Sequence, residues 1–124
     1  MNQVHSHFKV FVGALAADHT PGALAAEVAE WARASGAAAK SIGVEYLEGS
    51  RQLLLTVGYR KDEPGYPISL RSVQLGRINE LDEAGRAALE ARMATASAGL
   101  SNILCHELYV TAEREVIMTF LVQE

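Results

Sequence analysis

The chain has 124 residues, 49% of them hydrophobic, with a formal net charge of −4 and a sequence pI near 5.5. This is enough length and apolar content for one domain with its own core, and scattered Lys and Arg on an acidic background give no basic patch for nucleic acid. The single cysteine, Cys105, excludes an intramolecular disulfide and a multi-cysteine metal site, and no apolar run approaches the ~20 residues of a membrane helix.

Lys9 interrupts the only apolar run near the N-terminus, so we expect no signal peptide and a cytoplasmic protein. From His7 to Leu15 the residues alternate, with Phe8, Val10, Val12 and Ala14 on one face of a predicted strand and His7, Lys9, Phe11 and Gly13 on the other. Thr20 as cap and Pro21 in the first turn open a predicted helix. Leu24, Val28 and Trp31 form its buried stripe, and Gly36 ends it. A strand from Ser41 to Glu48, a Gly49-Ser50 turn and a returning strand from Arg51 to Arg60 follow. Residues 61–67, KDEPGYP, read as a junction. Beyond it come a strand from Ile68 to Ile78 and a helix capped by Asn79, with Asp82 and Glu83 in its first turn. Leu81, Ala84, Ala88 and Leu89 point inward on that helix, which runs to about Ser97 before Gly99. Strands from Ile103 to Thr111 and Glu115 to Val122 complete the chain.

The two halves match at a constant offset of 63 positions, Gly36 onto Gly99. Arg51 falls on Arg114, Thr56 on Thr119, and Leu53-Leu54-Leu55 on Val116-Ile117-Met118; earlier, Val10 falls on Val73 and Gly13 on Gly76. The pattern reads as an internal duplication. It gives a single α/β (α+β) domain over 1–124, with repeat one at about 7–60 and repeat two at about 68–123. The expected architecture is a duplicated β-α-β-β repeat forming a mixed sheet, each crossover joining parallel strands, with two helices on one face. The runs Leu53–Leu55 and Val116–Val122 are apolar at consecutive positions, as in strands buried on both faces. With no spare element to cover the second face, an oligomer whose sheets face one another is expected, with His7, Lys9, Ser72 and Gln74 lending polarity to that face.

A doubled β-α-β-β unit of this length resembles the tautomerase superfamily, nearest to the macrophage migration inhibitory factor-like proteins and 5-carboxymethyl-2-hydroxymuconate isomerase. The opening His7-Phe8 is similar to the isomerase's start. Ile68-Ser69-Leu70-Arg71-Ser72-Val73, followed by Gly76-Arg77-Ile78, is similar to a segment of the inhibitory factor. The resemblance implies a homotrimer around a central channel and an enol–keto isomerase acting through an N-terminal proline. Here residue 2 is Asn2 and the first proline is Pro21, so the proline mechanism does not carry over.

In the place of the family's active site stand Ser6, His7 and Lys9. His7 suits proton abstraction near neutrality, and Lys9 suits carboxylate binding or, if desolvated, base chemistry. Arg71, Val73 and Arg77 match the region lining the family pocket, and Lys40 lies close to the position of the inhibitory factor's lysine after its first helix. A guanidinium there would clamp a carboxylate; an ordinary surface or interface ion pair is the competing reading. His5 and His7 share one side of a strand but have no evident third ligand, so no metal and no cofactor are expected. Cys105 and His106 point to opposite faces and form no dyad. The leading expectation is a small-molecule binder for a carboxylate-bearing ligand, with isomerase activity through a substitute base. Partners are then a small ligand and further copies of the chain, without nucleic acid or membrane. The alternatives are a non-catalytic binding or structural protein on the same scaffold, and a ferredoxin-like dimeric α/β barrel.

Overall fold

The computed structural model describes residues 7–79 and 81–124. Its elements are β1 (His7–Ala14), α1 (Ala23–Ser35), β2 (Ala38–Leu47), β3 (Gln52–Arg60), β4 (Ile68–Arg77), α2 (Glu83–Ser97), β5 (Ile103–Val110) and β6 (Glu115–Gln123). The order β-α-β-β thus occurs twice, as the sequence predicts.

The strands do not join into one mixed sheet. They form two antiparallel three-stranded sheets, ordered β1-β3-β2 and β4-β6-β5. In each, the two strands joined by the helical crossover are parallel to one another but are separated by the last strand of the half. The hairpins explain this: β3 and β6 pair with the strand just before them and also with the first strand of their half, taking the central position in each sheet.

The helices do not share one face of a common sheet either. β2 and β5 lie alongside each other, Cys105 Sγ accepting the Ile42 N–H at 3.1 Å, while α1 packs against both β1 and β4. Its buried Leu24, Val28 and Ala32 meet Phe11, Ile42, Leu53, Leu55 and Val57 of the first sheet and Ile68, Ile117 and Leu121 of the second in one core. Trp31, expected in the buried stripe, is only partly buried; its ring packs edge-on against Phe11 and Tyr59 at 5.7 and 5.0 Å. α2 lies on the opposite face of the second sheet, where Leu89, Met93 and Ala96 rest on Val116, Met118, Phe120 and Val122.

β6 is therefore buried on both faces by its own chain, α1 with the first sheet covering one side and α2 the other. This removes the reason, at β6, for requiring a partner. His7, Lys9, Ser72 and Gln74 also do not line an open second face. The Phe11 ring meets Trp31, and a Cβ built on Gly13 would lie 3.2 Å from Leu24, so that side of β1 faces α1. Ser72 Oγ lies 3.0 Å from the fully buried Thr119 Oγ1, and Gln74 hydrogen-bonds the Asp18 carbonyl.

Both helix starts differ from the expected caps. Asp18 Oδ1 accepts the Thr20 N–H and hydroxyl at 3.2 and 2.6 Å. With its hydroxyl thus engaged, Thr20 does not cap, and α1 begins only after Gly22. Asp82, not Asn79, caps α2, accepting the Gly85 N–H at 2.7 Å. Gly36 ends α1 in the left-handed conformation as predicted. Of the residues expected to point inward on this helix, Leu81 lies before α2 and is exposed, Ala84 and Ala88 are exposed, Leu89 is partly buried, and no residue of α2 is fully buried. With small side chains in most of its turns, this helix has little to insert into the sheet.

Candidate functional site

Shallow seating of α2 leaves open space between the helix and β4, and an irregularity in β4 shapes it. The β4–β6 register shifts between Gln74 and Gly76, leaving Leu75 as the extra residue of a β-bulge. Gly76 sits at φ 96°, a conformation that side-chain-bearing residues rarely adopt. A bulge withdraws backbone groups from the ladder, and here Arg92 of α2 supplies the missing donor: its Nη1 donates to the Leu75 carbonyl at 2.7 Å. A Cβ at Gly76 would come within 2.8 Å of that same Nη1. Absence of a side chain at 76 is what lets the guanidinium reach the strand.

Two clefts flank this contact and share Leu75 and Arg92 in their walls. One, of about 330 Å3, has Val73, Ala91 and Ala96 as apolar walls, with Thr95 beside Arg92. The other, of about 210 Å3, is bounded by Gly76, Arg77, Ile78, Asn79 and Leu89. Only one of the five guanidinium donors of Arg92 is committed to Leu75. Arg77 is held at the far end by donating Nε–H to the Glu113 carbonyl at 2.9 Å. Among the described residues lining both clefts, the only ionisable side chains are these two arginines. The arrangement can hold an anion on a permanent cation beside an apolar body; among the described lining residues no group takes up or releases a proton near neutrality.

Of the residues singled out in the sequence, Val73 and Arg77 line this space. Arg71, also on β4, lies outside it, half-exposed and 3.9 Å from the Glu124 carboxylate. Lys40 lies at the bulge of β2, in the first sheet, where it pairs with Glu63 and stands 5.6 Å over the Tyr66 ring. The hydrogen bond to Glu63 raises its pKa. His7 and Lys9 are on β1, across α1 from the cleft, and the His7 ring rests 5.5 Å from Tyr59. Ser6 and His5 fall outside the described residues. The structure thus puts Val73 in the wall of one cleft and Arg77 in the wall of the other, joined by Leu75 and Arg92, and separates both from His7, Lys9 and Lys40. Arg92 and the Gly76 bulge carry the geometry. The only sequence signal for them was the Gly76-Arg77 pair, since Arg92 reads as one more charge on the solvent side of a helix.

A second polar cluster forms where the β1–α1 loop meets the two hairpin turns. Tyr109, 4% exposed, donates its hydroxyl to the His19 carbonyl at 2.6 Å, and burial pushes its pKa well up. Arg51 Nη2 lies 3.2 Å from His19 Nδ1. Hydrogen bonds from Thr20 hold the Asp18 carboxyl below its ordinary range, and a backbone hydrogen bond does the same for Glu113. These contacts strap the loop to the second sheet. Burial also raises the Cys105 thiol pKa, the direction of an inert rather than a reactive cysteine. Among the described residues no three His, Cys, Asp or Glu side chains are grouped to hold a metal ion, and no helix is long and apolar enough to cross a membrane.

No protein-family model matches the chain, and neither a curated protein nor a solved structure matches it.

Proposed function

We propose that the chain binds a small, amphipathic carboxylate in the clefts between α2 and β4, with Arg92 and Arg77 taking the anionic end. The observation that carries this reading is Arg92, shared by both clefts and joined by Arg77 in the smaller one, beside apolar walls and with no other ionisable group among the described lining residues. The larger cleft is within the size range of small-molecule sites. A binding protein fits this lining better than an isomerase, because proton transfer needs a titratable base within reach of the ligand. His7 and Lys9, the substitute bases expected from the sequence, belong to the other sheet. The doubled β-α-β-β order is what the chain keeps of the tautomerase-like pattern, without its single mixed sheet, and this proposal retains from that resemblance a cytoplasmic homotrimer as the working assembly.

The test is titration calorimetry with a series of aryl and alkyl 2-keto acids, alongside an assay of their enol–keto interconversion. Binding is expected for acids with an apolar body, to be lost in Arg92→Leu, and to proceed without turnover. Turnover that survives Arg92→Leu but disappears in His7→Ala would move the site to β1 and restore the isomerase reading. Equal affinity for a carboxylate and its uncharged amide would remove the role given to the arginines.

A further inference from the structure

The larger cleft is bounded by a strand edge rather than by a strand face. Three consecutive residues of β4 line it, Val73, Gln74 and Leu75, although neighbours on a strand point to opposite sides. Val73 turns toward α2, and the Gln74 side chain turns the other way, to the Asp18 carbonyl. What the three share is the outer edge of β4, whose one strand neighbour, β6, lies on the inner side. The opposite wall is one side of α2, at Ala91, Arg92, Thr95 and Ala96.

Hydrogen-bond alternation fixes which backbone groups face that edge. Glu124 N–H donates to the Pro67 carbonyl at 2.9 Å. In the β4–β6 register, Ser69, Arg71 and Val73 therefore exchange bonds with Val122, Phe120 and Met118. The Ser72 N–H and C=O and the Gln74 N–H then point outward, and among the described residues none of them has a partner. The Leu75 carbonyl, next along the edge, is taken by Arg92. An unpaired edge is a template for an added strand. This one is short: α1 flanks its start, with Ala26 and Ala29 beside Pro67 and Ile68, and Arg92 closes it at Leu75.

We infer that the carboxylate held here is the C-terminus of an extended peptide, added to β4 as a parallel strand. The inference rests on the carboxylate reading above and names the class of its ligand. A strand that continued past Leu75 would run into the Arg92 guanidinium. A strand that ends there brings it a carboxylate, which the remaining donors of Arg92 suit, and no acidic group among the described lining residues opposes that charge. Strand addition and capture of a terminal carboxylate are both established modes of peptide recognition. With its end at Arg92, the added strand runs in the direction of β4. Its third-from-last residue donates N–H to the Ser72 carbonyl and accepts the Gln74 N–H at its own carbonyl. The penultimate N–H points away from β4. The last and third-from-last side chains turn to the α2 side, where Val73, Ala91 and Ala96 favour apolar residues.

The experiment is titration calorimetry of the full chain with the peptide acetyl-Ser-Ser-Leu-Ala-Leu carrying a free carboxylate. Beside it are titrated its C-terminal amide, two backbone N-methyl forms, and 4-methylpentanoate, which has the acid and side chain of the last residue without the backbone. The free-acid peptide is expected to bind roughly 10–100-fold tighter than 4-methylpentanoate, the gain of two backbone hydrogen bonds. Amidation, or N-methylation of the third-from-last residue, is expected to remove that gain; N-methylation of the penultimate residue is expected to leave it. In the complex, amide exchange should slow at Ser72 and Gln74 and not at Val73, whose N–H already pairs with β6. If 4-methylpentanoate binds as tightly as the peptide, or the two N-methyl forms bind alike, the inference is overturned and the carboxylate reading stands. If neither the peptide nor any small acid binds, both fall.

Discussion

Replacing Gly76 by Ala tests the geometry of the cleft most directly, because three glycines separate its two costs. Gly99 has no neighbour within 4 Å of a built Cβ and no unusual φ, so Gly99→Ala is expected to be near neutral. Gly49 has open space but sits at φ 86°, so Gly49→Ala carries the backbone cost alone, ~1–2 kcal/mol. Gly76 sits at φ 96° and its added Cβ would meet Arg92 Nη1 at 2.8 Å. The guanidinium must move away, losing the hydrogen bond to Leu75 at a further ~1 kcal/mol. Gly76→Ala is therefore expected to cost ~2–3 kcal/mol. With an unfolding entropy of ~2.1 cal/mol/K per residue, a chain of this length loses ~8–12 °C in Tm, against ~4–8 °C for Gly49→Ala. The assay is calorimetric unfolding of the three single variants, Arg92→Ala, and the double variant Gly76→Ala/Arg92→Ala. In the double variant the clash is gone and the hydrogen bond is already lost. Its cost should fall short of the summed single costs by ~1 kcal/mol, a coupling within the range found for contacting residues. Additive costs, or a Gly76→Ala no worse than Gly49→Ala, would show that Arg92 does not depend on the missing side chain, and the description of the cleft would fall with it.

Asp82→Ala removes the α2 cap and should cost ~1 kcal/mol, seen as a lower Tm with faster amide exchange in the first turn of α2; an equal change at α1 would refute a local effect. Tyr109→Phe removes the hydroxyl bond to the His19 carbonyl and should cost ~1 kcal/mol, freeing the loop between β1 and α1 to faster exchange. Because burial raises the folded-state pKa of Tyr109, the stability tied to its neutral form is intact below the ordinary tyrosine value of ~10 and is lost as pH rises beyond it. In stability measurements from pH 8 to 12, Tyr109→Phe should flatten the decline above pH ~10. An unchanged alkaline slope would mean that Tyr109 is not the group responsible.

Much of the element order was legible because it rests on local chemistry. Alternating apolar residues in the strands, Gly36 after α1 and the proline-containing junction at residues 61–67 each act within a few positions of the chain. Helix starts were displaced by two or three residues for an equally local reason that composition hides. Asp82 was in view as a first-turn acid and Asp18 was not singled out, and which oxygen takes which N–H is settled only by the path of the loop.

The sheets were not legible in this way. Consecutive apolar residues from Val116 to Val122 establish that β6 is buried on both sides, and this the sequence alone determined. What does the burying is a matter of tertiary structure, because α1 can pack on the second half of the chain as well as on its own sheet without any change in its own pattern. The cleft is of the same kind. Gly76 is visible in the sequence only through the repeat and the resemblance, and Arg92 not at all, and they become a site only when a bulge in β4 exposes the Leu75 carbonyl to a helix that stands slightly off the sheet. Local backbone preference and hydrophobic period are properties of neighbouring residues and survive in the sequence. The partner of a buried face, or of an unpaired carbonyl, is chosen by long-range packing, and only the folded chain decides it.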